Sequence, residues 1–206
     1  MKTRIYLFLL ILFPGLTSCS LEDPIKSEVT DHAKFQMTDG PFVYWPLGTE
    51  FTDPGISATS GEEEIEVSTE GTVDTDTPGV YVLKYSAENS DGFAASVERF
   101  VAVGNKEVAI SRDLTGTYSP TNEVKKIVDG FYMNSDILPT NGIKVVMADL
   151  GNGELIIPPQ SSKFGIVYAD PQINENTGGI LNEDGSFTIK QMLVAYGIYT
   201  RTFIKQ

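Results

Sequence analysis

Leu47-Gly48-Thr49-Glu50-Phe51-Thr52-Asp53-Pro54-Gly55 and Gly71-Thr72-Val73-Asp74-Thr75-Asp76-Thr77-Pro78-Gly79-Val80-Tyr81 are the stretches whose reading decides the fold. Asp53-Pro54-Gly55 and Thr77-Pro78-Gly79 each pair a Pro of fixed φ with a Gly free to take a positive one, which turns the chain tightly. Past the second turn, Tyr81, Leu83, Tyr85 and Ala87 alternate with Val80, Val82, Lys84 and Ser86. A period of two is the signature of a strand with one apolar face. Tyr81 and Tyr85 share that face, where a phenol packs its ring and reaches a backbone partner. Residues 93–103 read as a long strand that closes the unit. Arg99 falls in register with Val97 and Val101, on a face that should be buried. A bulge or an exposed strand end would each resolve that conflict.

Working outward, the chain is punctuated by Asp39-Gly40, Asp91-Gly92, Asp129-Gly130, Asn141-Gly142, Asn152-Gly153 and Asp184-Gly185. Asx-Gly pairs tolerate the positive φ that hairpin turns demand. Between them lie short runs rich in Val, Ile, Tyr, Phe and Thr, among them 143–147, 164–168 and 198–203. No stretch has the period of a long amphipathic helix. The fold class is all-β: an N-terminal β-sandwich over 34–104 and an antiparallel meander or barrel over 105–206, with a lipocalin-like sheet as one form it can take. The polar stretch 105–107 follows the last strand of the first unit and marks the boundary.

Composition removes several classes of function. The 206 residues hold 28 acidic and 15 basic side chains, a formal charge of −13, with one Cys, one His and one Trp. Nucleic-acid binding leans on Lys and Arg, so no nucleic-acid partner is expected. One Cys makes no disulfide framework, and one His with one Cys makes no zinc site. The single His32 stands too near the chain start to suggest a Ser- or Cys-protease triad. The acidic clusters Glu62-Glu63-Glu64 and Asp74 with Asp76 read first as solvated turns, although such loops also supply some of the oxygens of a calcium site. No metal, cofactor or catalytic residue is assigned.

The start of the chain has a different logic. Lys2 and Arg4 precede an apolar run over 5–13, too short to span about 30 Å of hydrocarbon, and Pro14-Gly15 breaks it. Residues 1–18 read as a signal peptide. Leu16-Thr17-Ser18-Cys19 resembles the lipobox of bacterial lipoproteins, which implies that Cys19 is the lipid attachment site and the new N-terminus. Residues 19–33 are then a lipidated tether. Ser20-Leu21-Glu22-Asp23-Pro24 is similar to the surface-export signal of Bacteroidetes lipoproteins, which implies an outer-membrane anchor facing the cell exterior. Removal of the leader takes away Lys2 and Arg4 and no acid, leaving −15 on the mature chain.

The two motifs quoted first, with Tyr85 and the ending Arg99-Phe100-Val101-Ala102-Val103, resemble a family of bacterial immunoglobulin-like domains. The likeness covers about 35–104 and implies an antiparallel sandwich of about seven strands. Domains of this family mostly act as spacers. Asp113-Leu114-Thr115-Gly116-Thr117-Tyr118, Val124-Lys125-Lys126-Ile127 and Asp129-Gly130-Phe131-Tyr132-Met133-Asn134-Ser135-Asp136 resemble the uncharacterised C-terminal domain of Bacteroidetes lipoproteins that carry such a domain in front. Those proteins are associated with outer-membrane glycan uptake.

Candidate ligand residues follow from what a sugar needs, an aromatic ring against its apolar face and polar side chains on its hydroxyls. Tyr132, Tyr168 and Tyr196, with Asp136, are candidates in the second unit, and Trp45 beside Tyr44 and Pro46 is the candidate in the first. Core packing is the competing reading for each. Residues 156–162 read as a loop leaving a strand, and 170–179 as a long polar loop of the kind that carries binding sites. The expected function is that of a non-catalytic, lipid-anchored surface accessory protein that binds a polysaccharide or oligosaccharide. The alternative is docking onto outer-membrane transporter proteins.

Overall fold

In the computed structural model the described residues are 30–119, 121–138 and 141–206. The leader, Cys19 and the acidic residues after it lie outside them. Residues Asp31–Gln206 form one compact unit.

The N-terminal half is a seven-stranded sandwich. One sheet orders β1 (Lys34–Met37), β3 (Ile56–Ser60) and β4 (Glu63–Ile65) side by side. The other runs β2 (Phe42–Pro46), β7 (Ala94–Gly104), β6 (Gly79–Glu88) and β5 (Ser68–Glu70), with β2 and β7 parallel. Leu83, Tyr85, Val101 and Val103 fill the space between the sheets. The opposite face of the second sheet is apolar at one end only, at Phe42, Tyr44, Val80, Phe100 and Ala102.

Arg99 sits in an unbroken ladder opposite Leu83 and is fully buried, so neither expected escape operates. Its guanidinium is paired with the Asp53 carboxylate. It also donates to the carbonyl oxygens of Gly40 at 3.2 Å, Thr38 at 2.7 Å and Gly55 at 3.1 Å. A buried charge is tolerated when paired and hydrogen-bonded on every side. The Asp53-Pro54-Gly55 turn supplies both needs, because Asp53 Oδ1 also accepts from Gly55 N at 2.8 Å. Tyr85 donates its hydroxyl to the other Asp53 oxygen rather than to backbone, whereas Tyr81 does reach backbone, at Thr77 O, 2.8 Å. Burial, then the hydrogen bond to Asp53, pushes the Tyr85 phenol up to about 12.

The C-terminal half is a closed antiparallel barrel. A short helix, α1 (Lys106–Ser111), is capped by Asn105 and leads into β8 (Gly116–Tyr118), β9 (Asn122–Val128), β10 (Phe131–Asn134), β11 (Val145–Asp149) and β12 (Glu154–Ser162). β13 (Gly165–Ala169) and β14 (Gly178–Leu181) follow, then β15 (Phe187–Leu193) and β16 (Gly197–Phe203). β13 and β14 both pair with β12 on one side and β15 on the other, so they are one strand line interrupted by residues 170–177. The seam closes where Tyr118 bridges Lys205, Ser119 N donates to Ile204 O and Gln206 N donates to Thr117 O. Eight strand lines enclose a space that side chains fill. Phe187 stacks on Phe203 at 4.7 Å, and Tyr118 meets Phe187 edge-on at 4.9 Å. The glycines of all six Asx-Gly pairs have positive φ, as hairpin chemistry requires.

Residues 156–162 belong to strand β12 rather than to a loop. The ladder shifts between Ile157 and Gln160, which accommodates Pro158-Pro159 where no N–H is needed. Gln160 restores the missing pairing through its side-chain amide, bonded to Val146 N and O at 2.7 Å each.

The halves share an apolar cluster. Tyr44, Val80 and Ala102 of the sandwich pack on Phe131, Ala148, Leu150 and Ile156 of the barrel wall, with Ala109 of α1 between them. Gly130 lies under the Tyr44 ring, where a Cβ would come within 2.2 Å of it. Beneath this contact Asp149 is buried, with Oδ1 accepting from Arg112 Nη1 at 2.9 Å and from Gly151 N at 2.8 Å.

Candidate functional site

Alternation along the barrel strands decides which side chains leave the core. Val167, Ala169, Ile189, Leu193 and Phe203 point inward, so Ile166, Tyr168, Thr188, Lys190, Met192, Thr200 and Thr202 cover the outer wall. Register places Tyr168, Met192 and Ile198 in one row across β13, β15 and β16. The next row toward β14 carries Lys190 opposite Thr200 and Gly178, and the one beyond it Thr188 between Ile180 and Thr202.

A groove of about 340 Å³ opens beside these rows. Its floor is apolar, with Ile156 and the largely exposed Ile180, and a Cβ on Gly179 would collide with Leu155 and Ile189. Glu154, Thr188, Lys190 and Thr200 line the strand side. The segment 170–177 forms the opposite lip through Pro171, Glu175, Asn176 and Thr177. That lip is held from within. Asp170 O accepts from Asn174 N at 3.0 Å and from Thr177 Oγ1 at 3.0 Å, and Asp170 Oδ1 accepts from Gln172 N at 2.9 Å. Burial raises the Asp170 carboxyl above its ordinary value, against the lowering effect of the Gln172 bond. Gln172 reaches across to the sandwich and donates Nε2 to Pro78 O at 2.9 Å. An ammonium, two carboxylates, a carboxamide and hydroxyls around an apolar floor suit a small polyhydroxylated ligand.

The side chains singled out from sequence are dispersed. Tyr132 is fully buried in the barrel core and donates its hydroxyl to Arg112 O at 2.9 Å, so its ring offers no free face. Asp136 holds a loop together, its Oδ1 accepting from Leu138 N at 3.2 Å and Ile143 N at 3.1 Å. Trp45 packs edge-on against Phe51 at 5.0 Å, beside the sandwich core, and donates to Thr49 O at 3.0 Å. Tyr168 is half-buried on the outer wall, one row from Lys190 and Thr200. Tyr196 is 60% exposed and meets Phe164 edge-on at 5.9 Å. With Ile166, Val194 and Ile198 it makes an exposed apolar patch at the β15–β16 end. Tyr168 and Tyr196 thus keep exposed surface, on the outer wall and at the β15–β16 turn, while Tyr132 is buried and Asp136 and Trp45 are occupied by local contacts.

The strand side of the groove was missed in the sequence. Thr188, Lys190, Thr200 and Glu154 look there like the ordinary solvent face of half-buried strands, and only pairing register gathers them. The long polar stretch 170–179 was the one legible signal. Among the described residues no cluster of His, Cys, Asp and Glu is arranged to hold a metal ion, and no helix is long and apolar enough to cross a membrane.

Comparison with known proteins bears on the N-terminal half. Residues 35–103 match the family model described as a bacterial surface protein, Ig-like domain, in agreement with the sandwich seen here. No curated protein matches the sequence. Among solved structures, a lipoprotein of Bacteroides thetaiotaomicron is 18% identical, with TM-score 0.38, over 85% of this chain and 100% of that one. The structure of CBM51-2 in complex with GlcNAc and INT domains, from Clostridium perfringens ZmpB, is 12% identical with TM-score 0.31. That likeness covers 83% of this chain and 41% of the other, less than half its length. At these TM-scores neither likeness bears on function.

Proposed function

We propose that this chain is a non-catalytic accessory protein of the bacterial surface, anchored in the outer membrane through Cys19, whose barrel binds an oligosaccharide in the groove between β12, β14–β16 and the 170–177 lip. Residues 1–18 are its leader and 19–33 its tether. The observation that carries this reading is the groove itself. Its volume is that of a small-ligand site, and its lining alternates hydroxyl, carboxylate, carboxamide and ammonium groups over an apolar floor. Tyr168, one row away, extends the apolar surface that a sugar ring would stack on. The tether fits the same picture. Asp31 is held by Ser60 Oγ and Asn89 Nδ2 at the far end of β6 from Gly79, which is the end that faces the barrel. Asp31, inside the proposed tether, thus lies at the end of the sandwich opposite the groove.

The test is affinity electrophoresis and calorimetry of residues 20–206 against a panel of soluble polysaccharides. Binding that falls at least about tenfold on Tyr168→Ala or Lys190→Ala, with thermal unfolding unchanged, is the expected result. Tyr132→Ala is unsuitable as a probe because it empties the core.

A second reading rests on the patch of Ile166, Val194, Tyr196 and Ile198. Its one ring, Tyr196, meets the neighbouring Phe164 edge-on and its other members are aliphatic, which suits a protein surface such as that of an outer-membrane transporter better than a sugar. Silence across the glycan panel, with capture of a transporter from solubilised outer membrane abolished by Tyr196→Ala, would establish that role instead.

A further inference from the structure

The lip of the groove touches the sandwich, and the contact is close. Gln172 donates to Pro78 O, and a Cβ on Gly79 would lie 2.4 Å from its Nε2. Gly79 has an ordinary φ, so its lack of a side chain serves this approach and not a turn. Tyr81 fixes the same corner by donating to Thr77 O. The floor depends on the sandwich as well, because Ile156 lines the groove and also packs in the cluster with Val80 and Ala102.

Resting on the reading of this groove as the binding site, we propose that the sandwich is a working part of that site. Pro78 and Gly79 position the 170–177 lip through Gln172, and a ligand in the groove tightens the sandwich on the barrel in return. Gln172 is a positioning residue, since its amide is committed to Pro78 and the lining is made by its neighbours. If the lip closes on ligand only while docked, binding and docking share one free energy, and each must strengthen the other.

Hydrogen exchange in the full mature chain tests the positioning without any ligand. Gln172→Glu keeps the length of the side chain but removes the donor to Pro78 O. Exchange at the amides of Ile173, Asn174 and Thr177 should rise by about tenfold, while Phe187 and Ile189 amides in β15 stay protected. Unchanged exchange at those three amides overturns the proposal, whatever happens to binding. Lys190→Ala is the counterpart, altering the lining while leaving lip exchange as it was.

Retardation in gels cast with galactomannan or hydroxyethyl cellulose supplies the second readout. Where the wild type is retarded, Gln172→Glu should weaken retardation by about fivefold while the chain remains folded at the gel temperature. Undiminished retardation in that variant also overturns the proposal. Where the wild type runs freely in every gel, the glycan reading fails, and the exchange measurement alone still decides whether the sandwich sets the lip.

Discussion

The sandwich and the barrel fill their centres differently. The sandwich buries a full charge: Arg99 is enclosed by one carboxylate and three carbonyl oxygens, all drawn from the turns at Thr38, Gly40 and Asp53-Pro54-Gly55. The barrel holds Phe187 stacked on Phe203 with Tyr118 edge-on to it, and at one end a neutral amide contact, Asn122 Nδ2 to Asn134 Oδ1 at 2.6 Å; its buried carboxylate, Asp149, is paired with Arg112 at the contact with the sandwich. The Arg99–Asp53 pair joins β7 of one sheet to the turn that leads into β3 of the other, so it ties the two layers of the sandwich together. A barrel closed on itself fixes register through its seam, and the amides it buries, Gln191, Asn122 and Asn134, carry no charge.

The sharpest way to break this comparison is to remove one partner of the ion pair. Asp53→Ala strands Arg99 in the core and should cost about 3–5 kcal/mol in urea unfolding, with Arg99→Met in the same chain recovering much of it. A cost under about 1 kcal/mol would mean that the charge is not what specifies the sandwich. Next in size is the contact between the halves. Gly130→Val forces a branched side chain into positive φ and into the Tyr44 ring, for about 1–3 kcal/mol from the backbone alone. Calorimetry should then resolve two transitions where the parent shows one, and a single shifted transition would show that the halves do not rely on this contact.

The smallest effect concerns Asp170. Burial raises its carboxyl above 3.8, so the folded chain holds that proton to a higher pH than the unfolded chain does. Well below pH 3.8 both states are protonated and nothing is lost. As pH rises from there, the unfolded chain ionises first and stability drains until the folded form ionises too. Asp170→Asn keeps an acceptor for Gln172 N and removes the charge. It should match the parent well below pH 3.8 and exceed it at pH 7, as read from urea midpoints at the two values. Equal midpoints at both would place the carboxylate in effective contact with solvent.

Much of this architecture could be read from residue chemistry. Five of the six Asx-Gly pairs fall between strands that pair antiparallel, since local φ demands are met locally; Asp39-Gly40 and Asp53-Pro54-Gly55 instead carry the chain between the sheets of the sandwich, and Gly79 does not take the positive φ that Thr77-Pro78-Gly79 suggests. Arg99 was visible as an anomaly, but its solution was not, because Asp53 lies 46 positions away and only the fold brings it near. The β12 prolines misled for the same reason: Gln160 replaces the lost ladder bonds with its own amide, a repair with no local signature. Candidate binding residues were harder still. A tyrosine that fills a barrel and one that lies on its wall have the same neighbours in sequence, and Tyr132 and Tyr168 part company only through the parity of their strands.

The bridge between Tyr118 and Lys205 also bears on time. A sandwich whose strands are complete by residue 104 can begin to form while the rest of the chain is still being made. The barrel has no such freedom, because its first strand finds its second neighbour only when residues 204–206 arrive. Pairing across so long a span is slow to nucleate. The later half therefore stays open to its surroundings until that segment is present. Truncation before residue 204 would leave β8 as a bare edge, and an aggregation-prone product in place of a soluble one.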